Sequence, residues 1–347
     1  MKRFTGCCIQ KRKMMKSKTS GKIYITGSIA LLGLLAALVV LSLRFGSGDI
    51  SWREFFGGFF GKEGYEKISF IIWDMRLARI LAGMLSGAGL SVAGLLLQNI
   101  TGNRLAGPNI IGVNAGAGFS VILALFFMPD MMEALPVFAF AGAFLATMLI
   151  MLISRRTNHS KGTVILAGVA VSAILNAGIS MISILDSDVL TLYNDFAVGG
   201  LKNIRLEMLP VPFLLIIIGC ALALILSKDI DALTLGDRIA ASLGVRTRFV
   251  RVLSMMIASA CAGAVVSIAG LIGFVGLMVP HIARMIFGRK TGWLIVFSAL
   301  IGMNLVIASD LLGRILFAGT EIPVGLVMAV IGVPFFLWLI VGRREAV

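Results

Sequence analysis

Four groups of polar side chains stand out in this 347-residue chain, because each falls beside a long apolar run. Arg76 and Arg79, in DMRLAR, lie three apart and share one face of a helical turn just before such a run. Arg314, in SDLLGRIL, follows another. A guanidinium grips a carboxylate through two parallel hydrogen bonds. The partner is either an external acidic surface or a local one: Asp74 for Arg76, and Asp310 or Glu321 for Arg314. The second group is KDIDALTLGDRIAASLGVRTR, residues 228–248. Leu233, Leu235, Ile239, Ala240 and Leu243 recur there at roughly helical spacing, Gly236 and Gly244 punctuate it, and Asp237 suits a helix cap. This spacing predicts one or two short helices that expose apolar residues to a partner or to the membrane interface. In the third group, Gln98–Gly118, Asn99, Asn103, Leu105 and Asn109 form a turn whose amides suit a gate or the ends of helices. The fourth is Pro280, His281 and Arg284, closing the run GLIGFVGLMVP.

None of these groups is built for bond-making chemistry. With only His159 and His281, a multi-histidine metal site is not expected. Cys7 and Cys8 stand in a basic stretch and Cys220 and Cys261 in apolar ones, with no disulfide or zinc spacing. No G-x-x-x-x-G-K-[ST] loop offers a nucleotide cradle. Apart from Asp74, acidic side chains are nearly missing from the apolar interiors, so no ion-driven relay is evident. Any energy for pumping must come from a partner.

The elements that position these residues are membrane helices. Hydrophobic residues make up 59% of the chain and charged ones 14%, and the mean hydropathy is +1.00. That is too little polar sequence to cover a water-soluble fold. Spans need about 20 apolar residues, and in lipid each must bond its own backbone, which makes them helices. Ten are expected: Ile23–Leu43, Ile80–Gln98, Asn109–Phe127, Leu135–Ile153, Thr163–Leu185, Leu209–Ser227, Val250–Ile268, Leu271–Phe287, Trp293–Ser309 and Pro323–Val341. Residues 1–22 read as a basic tail and 23–347 as one transmembrane domain; the first run lacks a small-residue cleavage site. The net charge of +14 would suggest nucleic acid in a soluble protein. Here the cations gather in the tail and in loops 154–162, 228–248 and 284–292, so the positive-inside rule explains them and sets both termini in the cytoplasm. SVAGLL at Ser91–Leu96 and SIAGLI at Ser267–Ile272 fall in oppositely directed spans, which suggests an inverted repeat. Gly83/Gly87 and Gly112/Gly116 carry the small-xxx-small spacing of close helix crossings.

At these residues the chain resembles the FecCD family, the permease subunits of binding-protein-dependent ABC importers for iron-siderophores, haem and cobalamin. The resemblance rests on RLARILAGMLSGAGLSVAGLLLQ, NRLAGPNIIGVNAGAG, LTLGDRIAASLGV, GLIGFVGLMVPHIAR and SDLLGR…TEIPVGLVMAVIGVPFFLWLI, in that order. It implies an all-α, type II importer fold, a second permease copy, an extracytoplasmic binding protein and a pair of ATPase subunits carrying ATP and Mg, with no cofactor or metal bound by this chain. It implies docking of the binding protein on Arg76, Arg79 and Arg314. Coupling to the ATPase falls to Leu235, Gly236, Asp237, Ala240, Leu243 and Gly244, with His281 and Arg284 close by. Asn103, Leu105, Ser160, Lys161 and Gly162 match gates, and Asn176 and Ser180 a pathway wall. The cargo it implies is an iron-siderophore, with haem or cobalamin as alternatives; the rival to this resemblance is an ion-coupled secondary transporter. One departure is Asn103-Arg104-Leu105-Ala106, where the family has Asn-Pro-Leu-Ala.

Overall fold

A computed structural model describes residues 3–46, 50–155, 161–316 and 320–342. Among the described residues the chain is helical and without strands. In chain order the helices are α1 (Arg3–Arg44), α2 (Trp52–Phe59), α3 (Glu66–Phe70), α4 (Leu77–Thr101), α5 (Val113–Phe127), α6 (Leu135–Ser154), α7 (Lys161–Leu185) and α8 (Ser187–Val198). They continue as α9 (Pro210–Ile225), α10 (Ser227–Thr234), α11 (Asp237–Ser242), α12 (Thr247–Ala269), α13 (Val275–Phe287), α14 (Thr291–Ile315) and α15 (Val324–Gly342).

Each of the ten apolar runs is helical, but they differ in reach. Six helices are long and apolar enough to cross a bilayer. A seventh crossing needs α9 and α10 together, and these bend by 59° at their junction. Val113–Phe127, Val275–Phe287 and Val324–Leu339 are shorter apolar helices. The 3-10 turn Pro108–Ile111 precedes the first of them.

The bundle is organised around α4. In the span Glu66–Thr101, 89% of the apolar window is buried, against 22% for Gly162–Leu185 and 6% for Ile23–Arg44. A helix buried on all sides needs small residues where neighbours cross. A Cβ on Gly87 would stand 2.2 Å from the Gly302 carbonyl oxygen of α14, and one on Gly116 would stand 2.3 Å from that of Gly142 on α6. One glycine of each expected pair therefore makes a crossing. Gly83 has only ordinary contacts, and Gly112 instead caps α5 in the left-handed region at φ +71°. The two similar hexapeptides are not in equivalent structure. Ser91–Leu96 lies within α4, whereas Ser267–Ile272 crosses the end of α12 at Gly270.

Loops tie one end of the bundle together. Gly200 donates to Ala269, Leu271 to Phe196 and Gly325 to Gly199, at 2.9, 3.2 and 3.1 Å. This anchors the α12–α13 turn, where Phe274 takes a left-handed φ of +64°. Pro280 inside α13 offers no N–H to the Gly276 carbonyl one turn earlier. Gln98 Nε2 of α4 supplies that bond at 3.3 Å and also reaches Leu277 O at 3.2 Å. The expectation that a neighbouring helix satisfies the carbonyl freed by Pro280 is met by a named side chain.

Candidate functional site

At the end of the bundle where α1 stops and α4 begins, three arginines converge. Arg79 Nε and Nη2 donate to Asp310 Oδ1 at 3.0 and 2.9 Å, and Nη1 to Glu321 Oε2 at 2.8 Å. Arg314 lies one helical turn from Asp310 and pairs with its Oδ2 at 3.1 Å. Arg314 Nη1 also donates to the Ser42 and Phe45 carbonyls, at 3.3 and 3.2 Å, and its Nη2 touches Ser42 Oγ. Arg76 ends a π turn (Ile71–Arg76) and donates to the Leu43 and Arg44 carbonyls at 2.7 and 2.8 Å. The last carbonyls of a helix have no partner within it and carry partial negative charge, so Arg76 and Arg314 cap α1 from two other helices.

Arg76 and Arg314 are 7% and 5% exposed and Arg79 is ion-paired, so all three brace this end of the bundle. The physical reason is local charge: Asp310 sits between Arg79 and Arg314, and α1 ends beside Arg76. Asp310 does pair with Arg314, but Glu321 pairs with Arg79, and Asp74 is exposed and is not the acceptor that holds Arg76. The three arginines line a cleft of ≈ 560 Å³ together with Lys202 and Asn203. Lys202 is exposed at that cleft and was not singled out by the sequence; its only signal is a cation shortly after Gly199-Gly200.

The opposite end holds the 228–248 segment as two short helices. Ile230 and Leu233 root α10 in the core, and Gly236, at φ +114°, turns the chain into α11. Leu235, Ile239 and Leu243 are 62%, 50% and 64% exposed, a continuous apolar face. Gly244 closes the segment with φ +82°. Two expectations are corrected here. Ala240 is fully buried against its own chain and offers nothing to a partner. Asp237 begins α11 but does not cap it; its carboxylate accepts from Arg251 Nη2 of α12 at 2.8 Å.

Behind this face runs a chain of hydrogen bonds that the sequence did not disclose. Asp231 Oδ1 of α10 accepts from Thr291 N at 3.0 Å, at the start of α14. Thr291 Oγ1 accepts from Asn99 Nδ2 of α4 at 3.1 Å. Asn99 Oδ1 accepts from Arg284 Nη2 of α13 at 3.0 Å, and Arg284 Nη1 donates to Gln98 Oε1. Two amides on α4 thus hold the Arg284 guanidinium. His281 is half-buried, with its ring 6.2 Å from that of Phe335.

The segment expected to form a gate follows directly on α4. Asn103 Oδ1 accepts from Leu105 N at 2.9 Å, a side-chain turn that holds Leu105 46% exposed. Asn103, Arg104, Leu105, His281 and Phe335 line a cavity of ≈ 700 Å³. Ser160 lies outside the described residues. Lys161 opens α7, and Gly162, Asn176 and Ser180 lie exposed along that helix.

Apolar helices of membrane-crossing length, a turn lining a cavity and a pair of short helices tied to the end of α4 define a polytopic membrane protein. The chain belongs to the FecCD transport family, whose model matches residues 34–342. It is 33% identical over 331 residues to the Fe(3+)-citrate import system permease protein YfmE of Bacillus subtilis, covering 94% of this chain and 98% of that one. It is 34% identical over 333 residues to the ferric enterobactin transport system permease protein FepD of Escherichia coli, covering 94% and 98%. Among solved structures it resembles a metal-chelate type ABC transporter in an inward-facing conformation, with a TM-score of 0.82, 29% identity and coverage of 91% and 98%.

Proposed function

We propose that the chain is the permease subunit of an ABC importer whose cargo is an iron-siderophore complex, driven by ATP hydrolysed with Mg on a separate pair of ATPase subunits. One observation carries this reading: α10, which leads into the exposed apolar face of α11, is tied by a string of hydrogen bonds, Asp231–Thr291–Asn99–Arg284, to α14, to α13 and to the end of α4 that runs on into the Asn103–Leu105 turn. A motion imposed at α10 and α11 then reaches the end of α4 without crossing fluid packing. The names of the relatives, Fe(3+)-citrate and ferric enterobactin permeases, support chelated iron as cargo.

The permease does no bond chemistry itself. The charge distribution supports an orientation with α10, α11 and both termini in the cytoplasm. A loaded binding protein docks at the opposite end, where Lys202 rims the cleft and the buried arginines form its wall. Cargo passes between two permease copies, with Asn176 and Ser180 of α7 on the wall. Closure of the ATPases shifts α10 and α11, and rigid helices rock to switch access between the Leu105 gate and the outer end.

Replacing Leu235, Ile239 and Leu243 together with Ser tests the reading. These side chains are exposed, so the melting temperature of the purified chain is expected to hold while co-purification with the ATPase subunit is lost. Undiminished co-purification and ATP-linked uptake would remove α11 from the mechanism. Accumulation of cargo by the chain alone in liposomes, on an ion gradient, would overturn the whole assignment.

A further inference from the structure

A groove between α6 and α12 takes no part in the sites above. α6 offers it Leu145, Leu149 and Leu152, and α12 offers Phe249, Val252 and Met256, around a cleft of ≈ 870 Å³. Most of this wall is open: Leu145, Leu152 and Phe249 are 66%, 62% and 60% exposed. At one end the apolar lining stops at Arg155, Arg246 and Arg248, all exposed.

The arginines meet because the two helices run in opposite directions. α6 ends with Arg155 as its C-cap, and α12 begins with Arg246 as its N-cap. Met148, Leu152 and Arg155 are four and three residues apart, so the cation continues an apolar stripe. Arg248 and Val252 repeat this spacing on α12. Among the described residues none of the three arginines enters an ion pair. The first turn of α12 has no acidic residue, so Arg246 and Arg248 oppose the positive end of its dipole. An anion bound there would offset both effects.

The matching ligand carries an anionic group beside a hydrocarbon chain at membrane depth. A free phosphate lacks the chain, whereas a phospholipid carries both parts. We propose that this groove holds an anionic phospholipid, its phosphate on Arg155, Arg246 and Arg248 and an acyl chain between α6 and α12. Basic pockets between membrane helices recognise such headgroups. The lipid would sit at the root of α11, since Arg251, one turn into α12, holds Asp237 at 2.8 Å. Only the choice of leaflet rests on the orientation proposed above.

The test is native mass spectrometry of the purified full chain in detergent, titrated with dioleoylphosphatidylglycerol, dioleoylphosphatidylcholine or inorganic phosphate. Phosphatidylglycerol is expected to stay bound where phosphatidylcholine and inorganic phosphate do not. Each single Arg→Gln change is expected to weaken retention about fivefold, and the triple R155Q/R246Q/R248Q on the order of a hundredfold. Met148→Trp, which fills the groove and leaves every charge in place, is expected to displace the lipid as well. Equal retention of the two lipids, or equal retention of phosphatidylglycerol by the wild type and the triple variant, overturns the proposal. So does inorganic phosphate binding as tightly as phosphatidylglycerol, which would mark a small-anion site. A change in copy number by Met148→Trp with lipid retention intact would mark a protein interface and overturns it too.

Discussion

Asp310 is 3% exposed and sits between two guanidinium groups, and this end of the bundle depends on that arrangement. A buried ion pair contributes little compared with an apolar replacement, but removing one partner strands a charge. Arg79→Ala leaves Glu321 without its guanidinium and Asp310 with only Arg314. The expected cost is about 3 kcal/mol, read as an earlier thermal transition of the purified chain in detergent. Asp310→Asn combined with Arg79→Gln is expected to recover part of it, because both charges leave together. At the other end Gln98 joins two roles: it satisfies the carbonyl freed by Pro280 and orients Arg284. Gln98→Leu is expected to destabilise by roughly 1–3 kcal/mol through orphaned polar groups. An unshifted melting curve would remove Gln98 from both roles.

Among the elements, α4 tolerates least. Gly87 lies against the backbone of Gly302, where a methyl group has no space. Gly87→Ala must push α14 away and so disturb Asp310 and Thr291 at its two ends. The expected outcome is loss of folded protein in a detergent size-exclusion profile, whereas Gly236→Ala at the α10–α11 turn, with nothing around it, strains only local backbone. The small helix α2 behaves differently, since it depends on a cap. Ser51 N donates to the Glu54 carboxylate at 2.8 Å, and Glu54 N donates back to Ser51 Oγ at 3.3 Å. The backbone bond from Ser51, then its hydroxyl, hold the Glu54 carboxyl below its usual range. Its folded pKa is thus depressed, so the cap contributes fully above the unfolded carboxylate pKa and is lost as pH falls through the folded one. Trp52 fluorescence is expected to report fraying of α2 on acidification, and Glu54→Gln to abolish that pH dependence.

In the molecule as a whole, the least covered long helix after α1 is α7. Ala170, Ala173, Ala177 and Ser180 recur at helical spacing and all are exposed, with Leu166 and Ile184 continuing the stripe. Small residues in a row let two helices approach closely without a gain in apolar burial. The second permease copy proposed above would fit this stripe. Ala177→Trp is expected to reduce the dimer fraction in mass photometry of the reconstituted protein while leaving the helical circular dichroism unchanged. A dimer fraction equal to the wild type would move the copy interface elsewhere.

The residues themselves determined that this chain is a helical membrane protein, roughly where its runs lie, and that 228–248 forms short helices. Hydropathy and helical spacing act locally, so they are written along the chain. They also placed Asn103, Leu105 and the Gly87 and Gly116 crossings in the correct turns. Only the tertiary structure decided which charges are partners. Arg79 and Asp310 are 231 residues apart, and Asn99 and Thr291 are separated by 192. A guanidinium in the sequence looks the same whether it meets a docking protein or the carbonyls at the end of α1. Packing against distant helices gave Arg76, Arg79, Arg314 and Arg284 partners inside the bundle, because a buried charge must find its counterpart there.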